Sequence, residues 1–236
     1  MQRKFSRPNF FFVIVLAFLI SSHCSVQTPL DVAKAAYDRG DYATAFKEFS
    51  RLANEGSADA QNSLGVMYEK GQGVPQDYVE AVKWYRKAAD QGLADAQYNL
   101  GISYYNGQGV AQDYAEAVKW FRKLADKGDP RAQNSLAIMY YYGKGVPQDH
   151  AEALKWCRKA ADQGYAQAQF GLGYMYYYGK GVPQDYIQAY MWFNLSAAQG
   201  YKDAATTLDK LTRMITPEQI AEGQKLSREW KPKKEQ

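Results

Sequence analysis

His150, Cys157 and the aspartates Asp77, Asp113, Asp149 and Asp185 are the side chains of this sequence best suited to chemistry. A histidine beside a cysteine makes a nucleophile with its base, and paired carboxylates make an acid and a base. The spacing forbids both. His150 and Cys157 are seven residues apart, which is about 10 Å along a helix axis and beyond hydrogen-bond reach. The aspartates recur in steps of 36 residues and fall in separate structural units. One histidine and one cysteine beyond the N-terminal segment cannot assemble a zinc site. The Gly-x-Gly-Val-Pro-Gln-Asp runs, as at 71–77 and 143–149, lack the Lys-Ser/Thr and the preceding strand of a phosphate loop. No catalytic residue, metal or cofactor is expected, and the chain reads as a non-enzyme.

What those residues share is a period. Gly-x-Gly-Val recurs at 71–74, 107–110, 143–146 and 179–182, and Trp84, Trp120, Trp156 and Trp192 keep the same 36-residue step, as do Leu64, Leu100, Leu136, Leu172 and Leu208. A fixed period of this size means stacked supersecondary units, each burying its apolar face against its neighbours. Within one period Ala96, Leu100, Ser103 and Tyr104 share a helical face. Gly107 then ends the helix and Gly109 turns the loop. Pro75, Pro147 and Pro183 stop any continuation, with Ala111 in the fourth copy. Each aspartate caps a second helix, and Glu80, Glu116, Glu152 or Gln188 three residues later completes a capping-box pattern.

The fold class is therefore all-α, an α/α solenoid of antiparallel helix pairs. Four full repeats are expected at 57–92, 93–128, 129–164 and 165–200. Residues 29–56 read as a shorter N-terminal capping hairpin, and 201–230 as C-terminal capping helices with Thr216 opening the last one. Residues 231–236 read as a disordered tail. The tryptophans are core residues of the stack. Cys157 fills a slot held by Tyr85, Phe121 and Phe193 in the sister repeats, so it reads as a small buried hydrophobe. His150 stands where Tyr78, Tyr114 and Tyr186 stand, and reads as an aromatic substitute.

Residues 1–24 have the form of a signal peptide: a basic start at Arg3, Lys4 and Arg7, an uncharged apolar run at 10–20, then small polar residues. That run is too short for a comfortable membrane span, which needs about 20 residues. The expected location is exported, periplasmic or secreted, with no membrane span after cleavage. Cys24 keeps a lipid anchor open, although His23 stands where a small residue is usual, and an uncleaved anchor is the other alternative. Losing those three basic residues takes the net charge from +4 to about +1. No electrostatic footprint for nucleic acid remains.

The string Ala96-Gln97-x-x-Leu100-Gly101-x-x-Tyr104-x-x-Gly107-x-Gly109-Val110-x-x-Asp113-Tyr114-x-x-Ala117-x-x-Trp120-Phe121 resembles the Sel1-like repeat, a relative of the tetratricopeptide repeat. The closing run Pro217-Glu218-Gln219-Ile220-Ala221 is similar to the end of many bacterial members. The resemblance implies a right-handed α/α superhelix that acts mainly as an adaptor for other proteins, in the envelope when the member is exported. A cysteine-rich branch of the family is linked to β-lactam binding and hydrolysis. It staples each repeat with a cysteine pair, and this chain has no such pair.

Opposite Leu64 on the first helix lie positions 62, 66, 69 and 70, which face a groove in a tetratricopeptide-like stack. Their equivalents grow more aromatic along the chain: Tyr98 and Tyr105, then Asn134, Tyr141 and Tyr142, then Phe170, Tyr174, Tyr177 and Tyr178. Tyrosine suits such a surface because its ring binds and its hydroxyl stays wet. These nine residues are the candidate partner-binding site, with packing between repeats as the competing role. The expected function is an exported scaffold, monomeric and binding a protein or peptide. A binder of peptidoglycan or cell-wall fragments comes second, and a β-lactamase-like hydrolase a distant third.

Overall fold

The computed structural model describes residues 28–233, and the expected signal peptide and Cys24 lie outside them. The fold is the all-α helical repeat that the period predicts. Among the described residues there are twelve helices and no strand. The helices pair as α1 (Pro29–Asp38) with α2 (Tyr42–Asn54), α3 (Ala58–Lys70) with α4 (Tyr78–Asp90), and α5 (Ala94–Asn106) with α6 (Tyr114–Ala125). α7 (Pro130–Tyr142) then pairs with α8 (His150–Asp162), and α9 (Ala166–Tyr178) with α10 (Tyr186–Ala198). α11 (Lys202–Thr212) and α12 (Pro217–Glu229) close the array.

The first helix of each full repeat buries at least one alanine and one leucine, as α5 does with Ala96 and Leu100. In three of the four full repeats the second helix answers with a large ring. A Cβ added to Gly65 would lie 2.6 Å from the Tyr85 ring, and one added to Gly101 or Gly173 would lie 2.7 or 2.6 Å from Phe121 or Phe193. These glycines are there because the ring occupies that space. The tryptophans sit at the outer edge of the same core. Trp84, Trp156 and Trp192 are buried, and lysines such as Lys87, 3.8 Å from the Trp84 ring, cover the first two.

The aspartates cap as expected. Asp77 accepts from the backbone N–H of Val79 and Glu80 at 2.9 and 3.0 Å. The second half of the capping box does not form in these helices. Glu80 and Glu116 turn outward to Lys83 and Lys119, and Glu152 to Lys155 and the Trp156 indole N–H. In α4, α6 and α8 the glutamate is drawn off by a lysine three residues on, which offers the carboxylate a charged partner. Gln188 in α10 has no such lysine and closes no box either. Reciprocal boxes do form at Thr28–Asp31 in α1 and Thr216–Gln219 in α12.

The two glycines of each loop have different jobs. Gly107 takes the left-handed conformation that closes α5. Gly109 lies so close to the preceding repeat that an added Cβ would be 2.0 Å from the Tyr78 carbonyl oxygen. Gly73, Gly145 and Gly181 touch Tyr42, Tyr114 and His150 in the same way. Each loop therefore docks on the start of the previous second helix.

The C-terminal end departs from simple stacking. α12 packs on α10 instead of continuing the array. Gly223 lies against Tyr190, Ser227 donates to the Met191 carbonyl, and Trp230 meets Trp192 edge-on at 6.0 Å. The reason is in α10, which carries no charged residue. Met191 and Leu195 replace the outer lysines Lys83, Lys119, Lys155 and Lys87, Lys123, Lys159, leaving an apolar face that needs cover. Residues 231–233 continue this cover: Lys233 donates its backbone N–H to the Asp162 carbonyl at 2.7 Å and pairs with its carboxylate at 3.0 Å. The segment expected to be a free tail thus begins as a docked one.

Candidate functional site

The nine candidate residues divide into packing residues and surface residues. Tyr98 rests on Phe121 at 5.5 Å, with the Arg131 guanidinium over its other face at 5.0 Å. Tyr105, Tyr141 and Tyr177 each pack on the first residue of their own second helix, Tyr114, His150 and Tyr186, at 5.3, 4.8 and 5.6 Å. That contact explains why His150 can replace a tyrosine. The Tyr105 hydroxyl also accepts from Lys144 at 2.7 Å. Phe170 sits between Phe193 and Tyr201 at 5.5 and 5.2 Å.

Three tyrosines remain open. Tyr142 is 64% exposed, Tyr178 51% and Tyr174 38%. Their rings join a chain of edge and tilted contacts: Tyr142 on Tyr141 at 4.9 Å, Tyr141 on Tyr174 at 6.4 Å, and Tyr174 on Tyr178 at 4.4 Å. Such contacts hold each ring in place while leaving a face free.

Between α7 and α9 the structure opens a cleft of about 410 Å³. It brings together Asn134, Tyr141, Tyr142, Phe170 and Tyr174 from the sequence reading. Tyr98, Tyr105, Tyr177 and Tyr178 lie outside its lining. Ile138, at the groove-facing position 66 of its repeat, lines it too, as do Gln167, Gly171, Tyr201 and Cys157, which were not expected there. Gly171 did carry a signal, since it interrupts a position held by Ser63, Asn99 and Ser135.

The cleft lining contains no charged side chain. Burial, then the neighbouring tyrosine hydroxyls, raises the Tyr141 and Tyr174 hydroxyls above their ordinary range, so both stay neutral at physiological pH. Cys157 is the nucleophilic atom type at the floor, but it is 3% exposed, and burial pushes its thiol up to about 12. Its Sγ donates to the Ala168 carbonyl at 3.2 Å. A protonated, hydrogen-bonded thiol is a poor nucleophile. No group of three or more metal-ligating side chains occurs among the described residues. The surface can bind apolar and aromatic groups and offer amide and hydroxyl hydrogen bonds. No helix among the described residues is long and apolar enough to cross a membrane.

The Sel1 repeat model matches residues 58–93, 94–129, 130–165 and 166–201, in register with the four helix pairs from α3 to α10. The crystal structure of a Sel1 repeat protein from Oxalobacter formigenes is 36% identical, covers 84% of this chain and 83% of its own, and superposes with a TM-score of 0.74. That of c5321, a protective antigen of uropathogenic Escherichia coli strains with an SLR fold, is also 36% identical over 85% of this chain, with a TM-score of 0.72. This chain spans 45% of that protein's length. The immunity protein Pa5087 of Pseudomonas aeruginosa is 24% identical over 84% of this chain and 79% of its own, with a TM-score of 0.55, and is similar in fold alone. A comparison with curated proteins gives no match. Sel1 repeat proteins generally mediate protein–protein interactions and are generally not enzymes. With four consecutive matched repeats and relatives at this identity, the chain belongs to the Sel1 repeat family.

Proposed function

We propose that this chain is an exported scaffold whose third and fourth repeats hold a segment of a partner protein against the tyrosines of α7 and α9. The observation that carries the reading is the uncharged cleft of about 410 Å³ with Tyr142 and Tyr174 open beside it. Rigid, half-wet aromatic rings are the residues that concentrate binding energy at protein interfaces. Export rests on the form of residues 1–24. The test is recovery of cross-linked envelope partners with the purified protein and with a Tyr142→Ala/Tyr178→Ala variant. Loss of partner with an unchanged circular dichroism spectrum supports the reading, and equal recovery by both proteins overturns it. The same surface of rings and amides also suits sugars, so retention on purified sacculi independent of protein partners would favour cell-wall binding instead.

A further inference from the structure

The cleft lies where the third repeat lacks a ring that its sisters have. In the other repeats a glycine on the first helix faces an aromatic residue on the second: Gly65 with Tyr85, Gly101 with Phe121, Gly173 with Phe193. The third repeat has Ala137 and Cys157 at those positions. The change is not isolated. Tyr98 and Phe170 pack on the rings of their own repeats at 5.5 Å, where the third repeat has Asn134 and the first has Asn62. Across the cleft, Gly171 replaces the side chain present at Ser63, Asn99 and Ser135. Two neighbouring positions, Cys157 and Gly171, are thus small together, a Cβ on Gly171 lying only 3.2 Å from the Cys157 Sγ.

The opening is wider than at the junctions that keep the ring: where the hairpin meets the first repeat, over Phe49, the equivalent depression holds about 210 Å³. At the junction of the first and second repeats, lined by Tyr85, Asn99 and Ile102, the equivalent depression holds about 30 Å³. At the junction of the third and fourth it holds about 410 Å³. A dry cavity of ~150 Å³ is enough to hold a benzene ring. The socket therefore has room for one ring and for the backbone that carries it. Its floor is Cys157 and Ala137, its walls Phe170, Tyr174 and Met175, and its edge carries the Asn134 amide.

We propose that this socket receives an aromatic side chain of the bound partner segment, in trans, where the sister repeats supply a ring from their own second helix. The inference rests on the groove being a partner-binding surface and names the chemistry of that partner: an exposed segment with a phenylalanine, tyrosine or tryptophan as its anchor. Apolar walls supply burial, offset ring contacts with Phe170 and Tyr174 supply orientation, and Asn134 is placed for a backbone amide of the incoming segment.

The test uses N-acetylphenylalaninamide as the probe, titrated into the purified protein and followed by amide chemical shifts. Saturable binding with shifts centred on Cys157 and Gly171, at least threefold tighter than N-acetylleucinamide and absent for N-acetyllysinamide, is the expected result. The Ala137→Gly/Cys157→Phe variant installs the glycine–ring pair used by the sister repeats and should bind at least tenfold more weakly. No saturable binding to the wild type, or undiminished binding to the double variant, overturns the proposal. Should the double variant misfold, alkylation of Cys157 in a Cys24→Ser protein replaces it. Saturating probe should slow that reaction at least fivefold, and an unchanged rate overturns the socket. A probe that fails to bind while Tyr142→Ala/Tyr178→Ala abolishes partner recovery removes the socket and keeps the groove. A probe that binds while partner recovery is unaffected keeps the socket and removes the groove.

Discussion

Gln163 donates its side-chain amide to Oε1 of the buried Gln133 at 2.9 Å, tying the end of α8 to the start of α7. Gln91 with Gln61 and Gln199 with Gln169 repeat the bond at 2.7 Å. Each first-helix glutamine also donates to the preceding second helix, as Gln61 does to the Ala53 carbonyl and Gln97 to the Ala89 carbonyl. One side chain thus couples three helices. The second repeat has Lys127 where the others have glutamine, and the buried Gln97 Oε1 has no protein donor. Lys127→Gln should supply it and stabilise the protein by about 1 kcal/mol. A rise in melting temperature of roughly 2–4 °C is expected for a chain of this size. An unchanged or lower value would sink the idea.

The tyrosines should separate by stability. Tyr105 packs on Tyr114 and accepts from Lys144, so Tyr105→Ala should cost about 2 kcal/mol. Tyr142 and Tyr178 are open to solvent, and their alanine variants should stay within about 0.5 kcal/mol of wild type in urea unfolding. Equal losses at Tyr105 and Tyr142 would show that the whole tyrosine run is packing.

Met191→Lys restores the residue found at Lys83, Lys119 and Lys155, but under α12 instead of in water. Burying that charge costs several kcal/mol, enough to loosen α12 before the rest of the array. Hydrogen exchange over 217–229 should accelerate at least tenfold while α3 to α8 keep their protection. Uniform acceleration along the chain would mean that α12 is not a separate cover.

The Cys157 thiol is pushed up to about 12 by burial, above the ordinary thiol value of about 8.5. A folded-state value raised in this way favours the folded protein fully below the unfolded value. That contribution is lost as pH rises from about 8.5 towards 12. Wild type should therefore lose stability faster than Cys157→Val above pH 9, by up to about 1.4 kcal/mol per pH unit. Parallel pH profiles for the two proteins would contradict the burial of the thiol.

Much of the frame is legible in the sequence because it depends on local rules repeated four times. Asp113 caps, Gly107 terminates, and Leu100 and Ala96 face inward for reasons contained in one period. What escapes are features that depend on what a residue meets in space. Glu80 follows the capping-box spacing, yet Lys83 competes for it. The tyrosines of the first helices look alike in sequence, but Tyr141 finds the ring of His150 while Tyr142 finds solvent. α12 was legible as a helix but not as a cover for α10. The signal lay in Met191 and Leu195, which gain meaning only against the lysines of the sister repeats. The cleft required Asn134, Cys157 and Gly171 to be seen as neighbours, although they are far apart in the sequence.

Gly109 against the Tyr78 carbonyl gives the array a direction. Each Gly-x-Gly loop grips the repeat before it through the same glycine, so the joints between units are one-handed, like roof tiles. The α1–α2 connection lacks the loop, and among the described residues no helix pair precedes it for a loop to grip. A duplicated unit inserted anywhere between α3 and α10 would find both a grip and a surface to be gripped. Copies of this chain could lengthen by whole periods of 36 residues without any new joint having to evolve.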